Sequence, residues 1–111
     1  MNNLLDQVTK DLTTACDWAI SVGYKINSTP VFLKPMECCV WGAYVAQQHN
    51  VLDGNYKPSE TYTNEIVSLY SELSDYSVWR IIAGFDGLPK RSTDDEWHDL
   101  GRNLRRYINA A

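Results

Sequence analysis

From Cys38 to Ala46 the chain reads Cys-Cys-Val-Trp-Gly-Ala-Tyr-Val-Ala, without one charged side chain. Coiled as a helix at about 3.6 residues per turn, this stretch goes round more than twice and turns apolar groups in every direction. A helix apolar on all sides belongs inside a protein rather than on its surface. It also falls far short of the ~20 apolar residues that cross a bilayer. The expected fold is therefore mainly α: about five helices around a central buried helix over about 35–49, with Cys38, Cys39 and Trp41 sealed from water.

The rest of the composition fits that expectation. A chain of 111 residues is expected to form one globular domain, 1–111, with a single modest core. Its 44% hydrophobic and 22% charged content is that of a folded protein, not a disordered one. A net charge of −4 and a pI near 5.0 argue against a general binder of nucleic acid or of anionic membranes. The charge is uneven, because Arg102, Arg105 and Arg106 lie in a C-terminal stretch without a single acid.

Three cysteines, Cys16, Cys38 and Cys39, make an odd number, and the adjacent pair could bridge only with strain. Their spacing fits no metal site. Asp6, Lys10, Asp11 and Asp17 interrupt the N-terminal apolar positions, unlike a signal peptide. Free buried thiols in a reducing, cytoplasmic setting are the expectation, with no membrane segment and no cofactor.

Along the chain, Leu5, Val8, Leu12, Ala15 or Cys16, and Ala19 recur at three- and four-residue steps and predict an amphipathic first helix. Trp18 and Val22 widen its stripe, and Gly23 is placed to stop it. Tyr24–Ile26 and Val31–Leu33, separated by the turn formers Asn27-Ser28-Thr29-Pro30, predict a small β-hairpin over about 24–33. Pro35 suits the first turn of the buried helix. A loop over 51–58 leads to a third helix over 59–73, carrying Tyr62, Ile66, Leu69, Tyr70 and Leu73 on one face. Ser74 is a cap for a fourth helix with Val78, Ile81, Ile82 and Phe85 inward, and Gly84 and Gly87 flank its end. Thr93 with Glu96 reads as the capping box of a last helix whose core stripe is Trp97, Leu100, Leu104 and Ile108.

Two motifs, Cys39-Val40-Trp41-Gly42-Ala43 and Phe85-Asp86 followed by Pro89-Lys90-Arg91-Ser92-Thr93 and Glu96-Trp97, resemble those of a family of small uncharacterised proteins found in actinobacteria and phages. Phe85 and Trp97 depart from the family's Asn and Val. The resemblance implies a similar helical fold and a phage or bacterial origin, and it implies no reaction.

The chemistry-bearing residues favour contact over catalysis. Cys38 near a helix start could gain thiolate character, but Glu37 adjoins it, and His49 would stand about 16 Å away at a rise of ~1.5 Å per residue along the same helix. No catalytic residue is expected. Asp94, Asp95, Glu96 and Asp99, with Asp86, do not match a calcium loop, and helix capping accounts for them; no metal is expected. Arg91, Arg102, Arg105 and Arg106 are the alternative, nucleic-acid reading. The start of a recognition helix normally meets DNA, and here that start would be acidic.

Tyr56, Tyr62, Tyr76 and Trp79 stand beside Glu60, Glu65, Glu72 and Asp75. Tyr and Trp are the usual interface anchors, and acidic surroundings suit a basic site on a partner. The best expectation is a non-enzymatic, acidic binding protein that engages a host or bacterial protein, with inhibition as one form of that action. The same aromatics and arginines could also pair two copies of the chain.

Overall fold

The computed structural model describes residues 3–27, 37–48, 73–90, 93 and 95–110. Among them are four helices, α1 (Asn3–Ser21), α2 (Val40–Gln48), α3 (Asp75–Phe85) and α4 (Glu96–Ala110), and two short strands, β1 (Lys25–Ile26) and β2 (Glu37–Cys38). The chain is mainly helical. The expected loop over 51–58 and the expected helix over 59–73 lie outside the described residues, apart from Leu73, which is buried just ahead of Ser74.

The stripe on α1 is as the spacing requires: Val8, Leu12, Ala15, Cys16 and Ala19 are buried, and Leu5, Trp18 and Val22 pack at its margin. Gly23, at φ 104°, ends the helix. The Gly23 amide donates to the Ile20 carbonyl and the Tyr24 amide to the Ala19 carbonyl, which satisfies carbonyls the helix would otherwise leave open.

The described sheet pairs the first expected strand with a segment beyond the expected hairpin. β1 and β2 run parallel, with Lys25 opposite Glu37 and Ile26 opposite Cys38; Val31–Leu33 lie outside the described residues. The Asn27 amide donates to the Cys38 carbonyl at 2.9 Å, and the Asn27 side chain donates to Glu37 Oε1 at 2.9 Å. Ile26 and Cys38 both turn into the core. Turn formers at 27–30 say that the chain leaves the strand there.

The same pairing moves the start of the apolar helix. Cys38 spends its carbonyl on the sheet, and the first helical bond goes from the Ala43 amide to the Cys39 carbonyl. The helix therefore opens at Val40, five residues after Pro35, and its buried residues run unbroken from Val40 to Ala46. Trp41 is 0% exposed. Its Nε1 donates to the Val78 carbonyl at 3.1 Å, and its ring meets Tyr44 edge-on at 5.8 Å.

α3 and α4 touch backbone to backbone. A Cβ at Gly84 would overlap the His98 carbonyl oxygen, and one at Gly101 would overlap the Ile81 carbonyl oxygen. Gly84 is thus a contact residue, while Gly87, at φ 80°, makes the turn that ends α3.

Two stability outcomes follow. Trp41→Ala is expected to cost about 3–5 kcal/mol, the range for losing a buried ring, measured by denaturant titration. Gly101→Ala gains helix propensity, yet it drives a methyl into a carbonyl of a neighbouring helix; a net loss of about 2–3 kcal/mol is expected in the same measurement.

Candidate functional site

Ser74 caps α3 as expected, its hydroxyl accepting from the Ser77 amide. With Val78, Ile81 and Phe85 buried, the helical period turns Tyr76 and Trp79 outward on neighbouring turns. They are 55% and 54% exposed. The orientation is fixed from the inner side. Arg80 Nε donates to Asp95 Oδ2 at 2.6 Å, both side chains being buried. Arg80 Nη2 also reaches the Pro89 carbonyl at 3.5 Å.

Asp95 is also the cap of α4. Its Oδ1 accepts from the His98 amide at 3.1 Å, and its carbonyl accepts from the Asp99 amide. This corrects the capping box read from Thr93 and Glu96. Asp caps as well as Thr does, and Asp95 also meets the cation on α3. His98 Nε2 donates to the Leu88 carbonyl at 2.6 Å, while Nδ1 is buried without a partner. Leu88 itself is 55% exposed; it follows Gly87, and its isolated position in the sequence gave no signal.

Of the aromatic anchors, Tyr56 and Tyr62 lie outside the described residues. Of the arginines, Arg91 does too. Arg102 and Arg106 are exposed, with Arg102 Nη2 3.4 Å from Asp99 Oδ1. Arg105 lies over the Phe85 ring at 4.8 Å. Arg105 is therefore set apart from Arg102 and Arg106, which share an exposed face.

The thiols are inward. Cys16, Cys38 and Cys39 are free and buried. Burial, with lesser help from neighbouring Asp17 and Cys39, pushes the Cys16 thiol up to about 12. Burial likewise pushes the Cys38 thiol up. Both stay protonated near neutrality, the opposite of an activated nucleophile. Among the described residues, no three His, Cys, Asp or Glu side chains are grouped to hold a metal, and no helix is long and apolar enough to cross a membrane.

A concave feature, apart from the aromatic face, escaped the sequence. Between α1 and α4 runs a groove of about 440 Å³. Leu5, Leu100 and Leu104 supply its apolar surface, Thr9, Thr13, Asn103 and Tyr107 its neutral polar one, and Asp6, Glu96 and Asp99 its charge. The signal was faint: Asp6, Thr9 and Thr13 share one face of α1, and Glu96, Asn103 and Tyr107 share one face of α4. Nothing in one dimension says that these faces meet.

No family model, curated protein or solved structure matches the chain. The likeness to small actinobacterial and phage proteins rests on the quoted motifs alone.

The Arg80–Asp95 pair has a pH signature. Burial pushes the Asp95 carboxyl up, but the Arg80 hydrogen bond, the His98 amide and the nearby positive charge outweigh it and hold the carboxyl below its ordinary value. A carboxyl with a depressed folded pKa stabilises the protein above its unfolded value and loses that contribution as pH falls through the folded one. Asp95→Asn keeps a competent cap and removes the charge. It is expected to be less stable than the parent at pH 7, with the gap closing as pH drops below about 4. Denaturation midpoints followed across that range measure it.

Proposed function

We propose that this chain is a non-enzymatic binding protein that acts through protein–protein contact, with Tyr76 and Trp79 as its anchors. The observation that carries the reading is the pair of half-exposed rings on adjacent turns of α3. Large aromatics of this kind dominate interface energetics when a partner buries them. The underside of the same helix is clamped by Arg80 to Asp95, so the rings are presented by a rigid support and lose little freedom on binding.

The interior offers no competing reading. The thiol weighed as a nucleophile, Cys38, is buried, and burial pushes it up, away from the thiolate; free buried thiols suit a reducing cytoplasm. The acidic balance of the chain, net −4, favours a basic partner surface and fast association with it. A host or bacterial protein with such a surface is the proposed target, and occupying it would inhibit that protein's own contacts.

The test is affinity capture from host lysate with the parent chain and with Tyr76→Ala/Trp79→Ala. Truncating two anchors is expected to weaken a captured partner by at least about tenfold, since one hot-spot side chain is worth ~2 kcal/mol. Both positions are exposed, so the midpoint of unfolding is expected to hold within about 0.5 kcal/mol. Undiminished capture by the folded double variant would remove these residues from the interface.

A further inference from the structure

The groove between α1 and α4 has a chemistry of its own, independent of the aromatic face on α3. Among the described residues, no Lys, Arg or His lines it. Among the described residues, the Asp6 and Glu96 carboxylates that line it have no hydrogen bond or ion pair, whereas Asp99 is already engaged by Lys90 Nζ at 3.0 Å and by Arg102.

The neutral groups lean the same way. Thr9 Oγ1 donates its proton to the Leu5 carbonyl at 2.7 Å, and Thr13 Oγ1 donates to the Thr9 carbonyl at 2.8 Å. Tyr107 Oη donates to Asp17, 2.9 Å from each carboxylate oxygen. Every hydroxyl proton of the lining is therefore spent inside the protein. What remains toward the groove is lone pairs, two uncompensated carboxylates and the Asn103 amide. Only Asn103 can still donate from a side chain.

A site rich in acceptors and poor in donors selects a ligand that brings donors and positive charge. The first turns of α1 and α4 add their half-charges near Asp6 and Glu96. Each is about half an elementary charge and fades within one turn, so two whole carboxylates outweigh them. The Leu5, Leu100 and Leu104 side chains give an aliphatic arm somewhere to lie. The volume falls within the ~300–1,000 Å³ of small-molecule sites.

We propose that this groove binds a small organic cation: a primary ammonium or guanidinium carried on an aliphatic arm. Asp6 and Glu96 take the charged head, Thr9, one turn along α1 from Asp6, accepts from a remaining N–H group, and the leucines cover the arm.

The test uses the full chain, amide-resolved NMR and three probes of equal length at low ionic strength: n-hexylammonium, hexanol and hexanoate. Hexylammonium is expected to give saturable shifts confined to the first half of α1 and to α4, and neither control is expected to match it. Asp6→Asn/Glu96→Gln is expected to weaken it by about tenfold or more, the weight of a lost charge-assisted contact. Asn103→Lys, which leaves both carboxylates in place and adds a positive charge to the lining, is expected to do the same. Tyr76→Ala/Trp79→Ala should leave the titration unchanged, which separates this site from the aromatic one. Equal response to hexanol, binding of hexanoate, or an unaltered titration in both charge variants would overturn the proposal. So would saturable binding of a lysine-rich peptide with no response to the free cation, which would assign the groove to a protein partner.

Discussion

The buried pair between Arg80 and Asp95 decides how half of the described structure is arranged. Removing two charges from water is expensive, and mutual attraction repays it only where further hydrogen bonds complete the site. Here they do. Arg80 also reaches the Pro89 carbonyl, and Asp95 also accepts from the His98 amide. One carboxylate thus does two jobs: it neutralises a cation on α3 and it starts α4. Slipping either helix by one residue would leave a buried charge without its partner, so the pair sets register more than it adds stability. That register is the one in which Gly84 and Gly101 bring the two backbones into contact. Close approach and ion pair require each other, and the outward aim of Tyr76 and Trp79 follows from both.

The legible parts of the sequence were those in which local chemistry and tertiary burial agree. The α1 stripe, the Gly23 stop and the Ser74 cap are each set by spacing or by one residue's backbone preference, and the structure holds all three. The expected hairpin's second strand, Val31–Leu33, lies outside the described residues, and the parallel pairing of Ile26 with Cys38 is one that no turn signal announces. The helix over 35–49 began too early because Glu37 and Cys38 are no less compatible with a helix than with a strand. Only the distant Ile26 and Asn27 recruit them into a sheet. Thr93 and Glu96 fit the capping pattern, yet Asp95 won because Arg80, fifteen positions back, meets it in space.

The two surfaces differed in legibility for the same reason. Tyr76 and Trp79 could be read from the sequence, since a helix with Val78, Ile81 and Phe85 inward must turn them out. The groove could not. Its members belong to helices separated by most of the chain, and each face taken alone is an ordinary polar helix face. Its acceptor-rich character is visible only once the Thr9, Thr13 and Tyr107 protons are seen to be spent.

α4 shows how these demands divide one helix. Gly101 and Arg105, four residues apart, serve α3: the glycine by letting the backbone in, the arginine by lying over Phe85. Glu96, Leu100, Asn103 and Tyr107 line the groove toward α1. That leaves Arg102 and Arg106, again four apart, for solvent. A cluster that looks like one basic patch in the sequence is therefore split, with Arg105 committed to an aromatic ring and Arg102 leaning toward Asp99. Arg105 is committed to the Phe85 ring, while Arg102 and Arg106 share an exposed face. The same division keeps positive charge out of the groove, and so the face of α4 turned toward α1 is acidic although its C-terminal half is the most basic part of the chain.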